Sequence, residues 1–87
     1  MKKKIVILGS TGSIGKATLN ILKKDKKKFN FILLSAQKNI KTLINQSKVF
    51  NVKNLIITDP NSYSIAKKIL SKKKINVFND YESFNKR

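Results

Sequence analysis

Short apolar runs alternate along this chain with stretches of helical spacing. Ile5–Leu8 is a continuous apolar run, as expected of a strand buried on both faces. The segment from Gly9 to Gly12 interrupts it as a loop. From Ser13 to Lys24, Ile14, Ala17, Ile21 and Leu22 recur at i, i+3, i+7 and i+8, which predicts an amphipathic helix. Lys16, Asn20, Lys23 and Lys24 occupy its remaining face, and the cations in the last turn complement the helix dipole. A polar segment, Asp25–Lys28, leads into a second strand over Phe29–Ser35. Asn39 is placed to cap a helix carrying Ile40, Leu43, Ile44 and Ser47 on one face. Leu55–Thr58 reads as a third strand, and Asp59-Pro60 supplies a cap and a first-turn proline for a helix with Ala66, Ile69 and Leu70 on its apolar side. Ile75–Phe78 reads as a fourth strand, with a further helix opening over residues 80–87. The order βαβαβαβ predicts an α/β, doubly wound parallel sheet with right-handed crossovers, truncated after about four strands.

The chain of 87 residues holds one domain, residues 1–87, with a thin core. It has no Cys and no His, so a disulfide framework, a thiolate site or a zinc site is not expected. Its four carboxylates, Asp25, Asp59, Asp80 and Glu82, are scattered. The apolar runs are far shorter than the roughly 20 residues that span a bilayer. The run after Lys2–Lys4 is also cut too early by Gly9 for a signal peptide. A soluble, cytoplasmic protein without a membrane partner is expected.

Lys and Arg number 20 against 4 acidic residues, a net charge of +16. Such a charge raises the possibility of a nucleic-acid partner. Yet every basic residue except Arg87 is lysine, whereas base and phosphate recognition usually recruits the planar fork of arginine. The lysines run along the whole chain, and Lys, Asn and Ile together suggest a compositional bias. A solvated surface is therefore preferred to a nucleic-acid face.

The three glycines all fall in Gly9-Ser10-Thr11-Gly12-Ser13-Ile14-Gly15, between the first strand and the first helix. A phosphate there would meet backbone N–H groups at a helix N-terminus, where the dipole adds positive character. Gly9 permits a sharp turn, Gly12 permits close approach of a pyrophosphate, and Gly15 permits the helix to pack near the sheet. Ser10, Thr11 and Ser13 add hydroxyl groups. The spacing G-x-x-G-x-x-G departs from the usual dinucleotide fingerprint G-x-G-x-x-G, and it is not a P-loop. A tight turn alone would need one or two glycines. The strand–loop–helix setting favours dinucleotide binding in a Rossmann-like fold. An NAD site normally ends its second strand with a carboxylate that binds the ribose 2′-hydroxyl. Here Ser35-Ala36-Gln37-Lys38-Asn39 has none, and Lys38 offers a cation to the 2′-phosphate of NADP. The competing reading leaves Lys38 as one more surface lysine.

Lys4–Gly15, KIVILGSTGSIG, resembles the N-terminus of the 1-deoxy-D-xylulose 5-phosphate reductoisomerase family, and Leu34–Leu43, LSAQKNIKTL, is similar to its second-strand segment. The resemblance implies the N-terminal part of an NADPH-dependent oxidoreductase of the non-mevalonate isoprenoid pathway. Such an enzyme rearranges and reduces 1-deoxy-D-xylulose 5-phosphate to 2-C-methyl-D-erythritol 4-phosphate with a divalent metal, magnesium or manganese, usually as a homodimer. Carried over residue by residue, it implies cofactor contacts at Thr11, Gly12, Ser13 and Ile14, then at Gln37, Lys38 and Asn39. Gln37 stands where the family usually has glycine, and Asn51-Val52 lacks the proline often found before the third strand. The family's metal carboxylates, its Asn-Lys-Glu segment and its substrate-phosphate site are expected beyond residue 87. Catalytic and metal residues are therefore assigned to none of these positions, and residues 1–87 alone are expected to be inactive. Another NAD(P)-dependent oxidoreductase and a small basic nucleic-acid-binding protein are the alternatives.

Overall fold

A computed structural model describes residues 2–86. Strand β1 (Lys3–Ile7) leads through the glycine loop to α1 (Ser13–Leu22), and a 3₁₀ segment over Lys23–Lys28 feeds β2 (Phe29–Ala36). There follow α2 (Ile40–Phe50), β3 (Asn54–Ile57), α3 (Pro60–Ile69), β4 (Asn76–Phe78) and α4 (Tyr81–Asn85). The four strands form one parallel sheet in the order β1-β2-β3-β4. The α/β alternation and the parallel sheet are as the hydrophobic pattern predicts.

An unreversed strand order with right-handed crossovers puts successive crossover helices on one face of the sheet. Leu19 of α1, Leu43 and Phe50 of α2 and Ala66 of α3 accordingly share one core with Phe31, Leu34, Ala36, Leu55 and Ile57 of the strands. Val77 of β4 also packs there, so its neighbour Phe78 points to the opposite face. On that face the Phe78 ring meets Phe84 of α4 edge-on at 5.6 Å. Helices thus lie on both faces. A doubly wound sheet reverses direction beyond its first strand, and among the described residues the outer edge of β1 is unpaired.

That position corrects the reading of β1 as buried on both sides. Ile5 and Ile7 pack on the core, whereas Val6 is 48% exposed and Leu8, past the strand's end, is 62% exposed. An edge strand has an in-plane neighbour on one side only, and the helix on the face opposite the core, α4, packs on β3 and β4. The apolar stripe of α1 also differs from the expected one. Gly15 and Leu19 are buried, with Thr18 and Leu22 partly so, while Ile14, Ala17 and Ile21 face outward. Gly15 sets this rotation, because only its missing side chain lets the helix touch the loop beneath it. In α3, Ile69 is exposed, and Tyr63 packs on the core beside Ala66.

One irregularity positions the site. Between Ile5/Phe31 and Val6/Leu33 the register shifts, leaving Ile32 as an extra residue in β2. The bulge brings Phe31, Leu34 and Ala36 to the core face and so turns Ser35 to the other. The Asn54 amide donates to the Ile32 carbonyl at 3.0 Å, and Asn76 donates to Asn54 Oδ1 at 3.1 Å. The carbonyl freed by the bulge thus keeps a partner.

Candidate functional site

The glycine loop leaves β1 at Gly9, whose φ of +73° lies in the left-handed region that a side chain disfavours. Two elements hold the loop. Gly9 N–H donates to Ser35 Oγ at 2.8 Å, and Ser10 N–H donates to the Ser35 carbonyl at 2.8 Å. The Ser10 hydroxyl donates to Gln46 Oε1 at 2.8 Å, and Gln46 Nε2 donates back to the Ser10 carbonyl at 2.9 Å. Ser10 is completely buried in this exchange. The structure therefore gives it a different position from Thr11, Gly12, Ser13 and Ile14, which lie at the surface or partly so. Its hydroxyl fastens the loop to α2 instead of facing outward. Gln46 escaped the sequence reading, and Ser35, read there only as part of the stretch that ends the second strand, holds the glycine loop instead. Only the bulge and the packing of α2 bring them to the loop.

The three glycines have separable causes. Gly9 is required by its backbone angle. At Gly15 an added Cβ would lie 2.4 Å from the Gly9 carbonyl oxygen and 2.6 Å from Ser10 Cα, both backbone atoms. Gly15 thus lets the helix close on the loop itself, a contact nearer than the sheet packing expected from the sequence. Gly12 differs from both. Its φ of −77° suits any residue, and an added Cβ would meet only the Gly9 oxygen, at 3.4 Å. The fold does not require glycine at position 12.

Gly12 is also the N-cap of α1, and no side chain caps that helix. Asn39, Asp59 and Asp80 cap the other three, accepting from Thr42, Ser62 and Ser83 N–H at 3.3, 3.0 and 2.6 Å. Asp59 and Asp80 have their pKa values lowered, first by those backbone N–H groups and then by the hydroxyls of the same serines, against an opposing effect of burial. The first turn of α1 contains no acidic residue. Its exposed start combines free amide donors, the positive end of a dipole and a backbone bare of Cβ, which together suit a phosphate.

A family model of 1-deoxy-D-xylulose 5-phosphate reductoisomerase matches residues 5–86. The chain belongs to this reductoisomerase family. The reductoisomerase of Pelagibacter ubique is 55% identical over 84 residues, covering 97% of this chain and 22% of the relative. The reductoisomerase of Zymomonas mobilis, solved in complex with NADPH, superposes with a TM-score of 0.82 at 31% identity, covering 90% of this chain and 21% of that one. Another reductoisomerase structure, with NADPH, fosmidomycin and magnesium, shares the fold at a TM-score of 0.83 and 20% identity, over 93% of this chain and 20% of that one. The chain spans about a fifth of the length of the reductoisomerases it matches.

The second segment singled out in the sequence, Gln37, Lys38 and Asn39, follows β2 at the same edge of the sheet as the glycine loop, and all three residues are exposed. The Asn39 side chain is engaged as the α2 cap. The Gln37 carbonyl accepts from Asp59 N–H at 3.0 Å, which fixes this stretch beside the start of α3. Lys38 is near enough to Asp59 to add a small further lowering of its pKa. The sequence shows no carboxylate at the end of β2, but the fold brings Asp59 there from the next strand. Among the described residues no three His, Cys, Asp or Glu side chains gather to hold a metal, and no helix is long and apolar enough to cross a membrane.

Proposed function

We propose that this chain forms the first part of the NADPH-binding domain of a 1-deoxy-D-xylulose 5-phosphate reductoisomerase, an enzyme that rearranges and reduces the pentulose phosphate to 2-C-methyl-D-erythritol 4-phosphate. Gly12 carries the reading: it is the one glycine of the loop that the fold does not require, and it stands at the helix start that no side chain caps. A pyrophosphate approaching there supplies the reason for a bare backbone. The Zymomonas relative, which shares this fold at 31% identity, was solved with NADPH.

NADPH, when bound, supplies the hydride for the reduction. The chain's residues bind and orient it. The amides of Ser13 and Ile14 face the phosphates across Gly12, with the Thr11 and Ser13 hydroxyls beside them. Gly9, Ser10 and Gly15 keep the loop in shape through Ser35 and Gln46. Gln37, Lys38 and Asn39 meet the adenosine ribose end, where the Lys38 ammonium faces the 2′-phosphate. Ligands for the family's divalent metal and for the sugar phosphate are assigned to none of the described residues.

The test is a titration with NADPH, followed by nicotinamide fluorescence. Gly12→Val is expected to abolish binding while leaving the far-UV circular dichroism of the helices intact, because its branched side chain fills the space of the pyrophosphate. Unchanged affinity in that variant would show that the phosphates bind elsewhere.

A further inference from the structure

The lysines look dispersed in the sequence, but the parallel pairing of β1 with β2 gathers two separate runs of them. Lys3 stands opposite Phe29 and Lys4 opposite Asn30, so the residues that enter the two strands lie side by side. Lys2, Lys3, Lys27 and Lys28 line a single open hollow with Phe29 at its wall. All four lysines are exposed. Their neighbour Lys26 is engaged elsewhere, its Nζ donating to the Val49 carbonyl at 3.3 Å. The acid of this segment, Asp25, reaches Lys28 only at 4.0 Å, with both side chains mostly in water, where such a pair is weak. Cations are common after helix C-termini because the dipole favours them. That accounts for the lysines following α1, but not for Lys2, just before β1, or for Lys3, its first residue.

We propose that this hollow binds the phosphate backbone of a nucleic acid, at the end of the sheet opposite the glycine loop and apart from the cofactor site. β1 separates the two by about 16 Å of extended chain. Without the planar fork by which arginine reads base edges and grips phosphates in pairs, lysine ammonium groups neutralise phosphates as point charges on flexible stems. The contact is therefore independent of sequence, and it weakens steeply with salt as counterions are released. An anionic membrane surface is the lesser fit, because the hollow offers only the half-buried Phe29 for insertion.

Two variants of the 87-residue chain decide the matter. Lys2→Gln/Lys3→Gln/Lys27→Gln/Lys28→Gln empties the hollow of charge. Lys41→Gln/Lys48→Gln/Lys67→Gln/Lys68→Gln removes the same charge from exposed positions on α2 and α3. Circular dichroism checks that each is folded. A fluorescein-labelled 20-base-pair duplex is titrated by anisotropy at 50 and 200 mM salt. The unaltered chain is expected to lose about a hundredfold in affinity between the two salts, and the first variant to flatten the slope of log K against log salt by about 3 to 4. The second variant should stay close to the unaltered chain. Equal losses in both variants, or no binding of the duplex at 50 mM salt, overturn the proposal. Binding to vesicles containing anionic lipid without binding to the duplex overturns it as well. NADPH affinity of the first variant should match that of the second, which has the same net charge, so failure here is distinguishable from failure of the cofactor reading.

Discussion

The starts of α1 and α2 lie at the same edge of the sheet and solve the same problem in opposite ways. Every helix begins with amide groups that have no partner within the helix. At α2 the Asn39 side chain accepts one of them, from Thr42, and α3 and α4 use aspartates in the same manner. At α1 the cap position is Gly12, which has no side chain to offer. The difference is local and cheap to reverse, since the Gly12 backbone already has the extended geometry that capping residues adopt. A helix start left open beside one that is capped is where the proposed cofactor phosphate would take the cap's place.

The largest effect tests the architecture that permits this opening. Gly15→Ala places a carbon against the backbone of Gly9 and Ser10, which cannot move without dismantling the loop. A loss of about 3 kcal/mol or more is expected, enough to abolish a cooperative thermal melt in so small a domain. A melt like that of the unaltered chain would mean that the helix can ride away from the loop at little cost.

Next in size is Lys38→Ala, at the end of β2. A charge-assisted hydrogen bond contributes roughly 1.5–3 kcal/mol, so NADPH should weaken about tenfold to a hundredfold while NADH hardly moves. The chain's +16 charge attracts the more anionic cofactor in any case. Titrations of both cofactors at two ionic strengths separate that long-range attraction, which salt screens, from a close pair. Equal effects on both cofactors would leave Lys38 as a surface lysine.

The smallest change in stability goes to the comparison itself. Gly12→Asp gives α1 the kind of cap that α3 and α4 possess. A gain of about 0.5 kcal/mol in stability is expected from the cap and the dipole together, read as a slightly higher melting temperature. NADPH binding should be lost, because the new carboxylate sits where the pyrophosphate belongs. A variant that gains stability and keeps its affinity for NADPH would refute the role given to the open helix start.

The alternation of strands and helices, the caps at Asn39 and Asp59 and the glycine loop were legible in the sequence, because each depends on residues close together in the chain. Asn39 and Asp59 cap the groups three residues ahead of them, and no tertiary contact is needed to see it. The rotation of α1 was not legible. Ile14, Ala17 and Ile21 form as good an apolar stripe as the one that is buried, and the choice between them is made by Gly15 closing on Gly9 and Ser10. The bulge at Ile32 was hidden as well, since it exists only in the register of β1 against β2. With it were hidden the roles of Ser35 and Gln46, which hold the loop from 26 and 36 residues away. Local spacing encodes the elements and the glycine loop between β1 and α1. Steric exclusion and the pairing of backbone groups between distant segments decide which face is buried, which glycine is structural, and which is left free for a ligand.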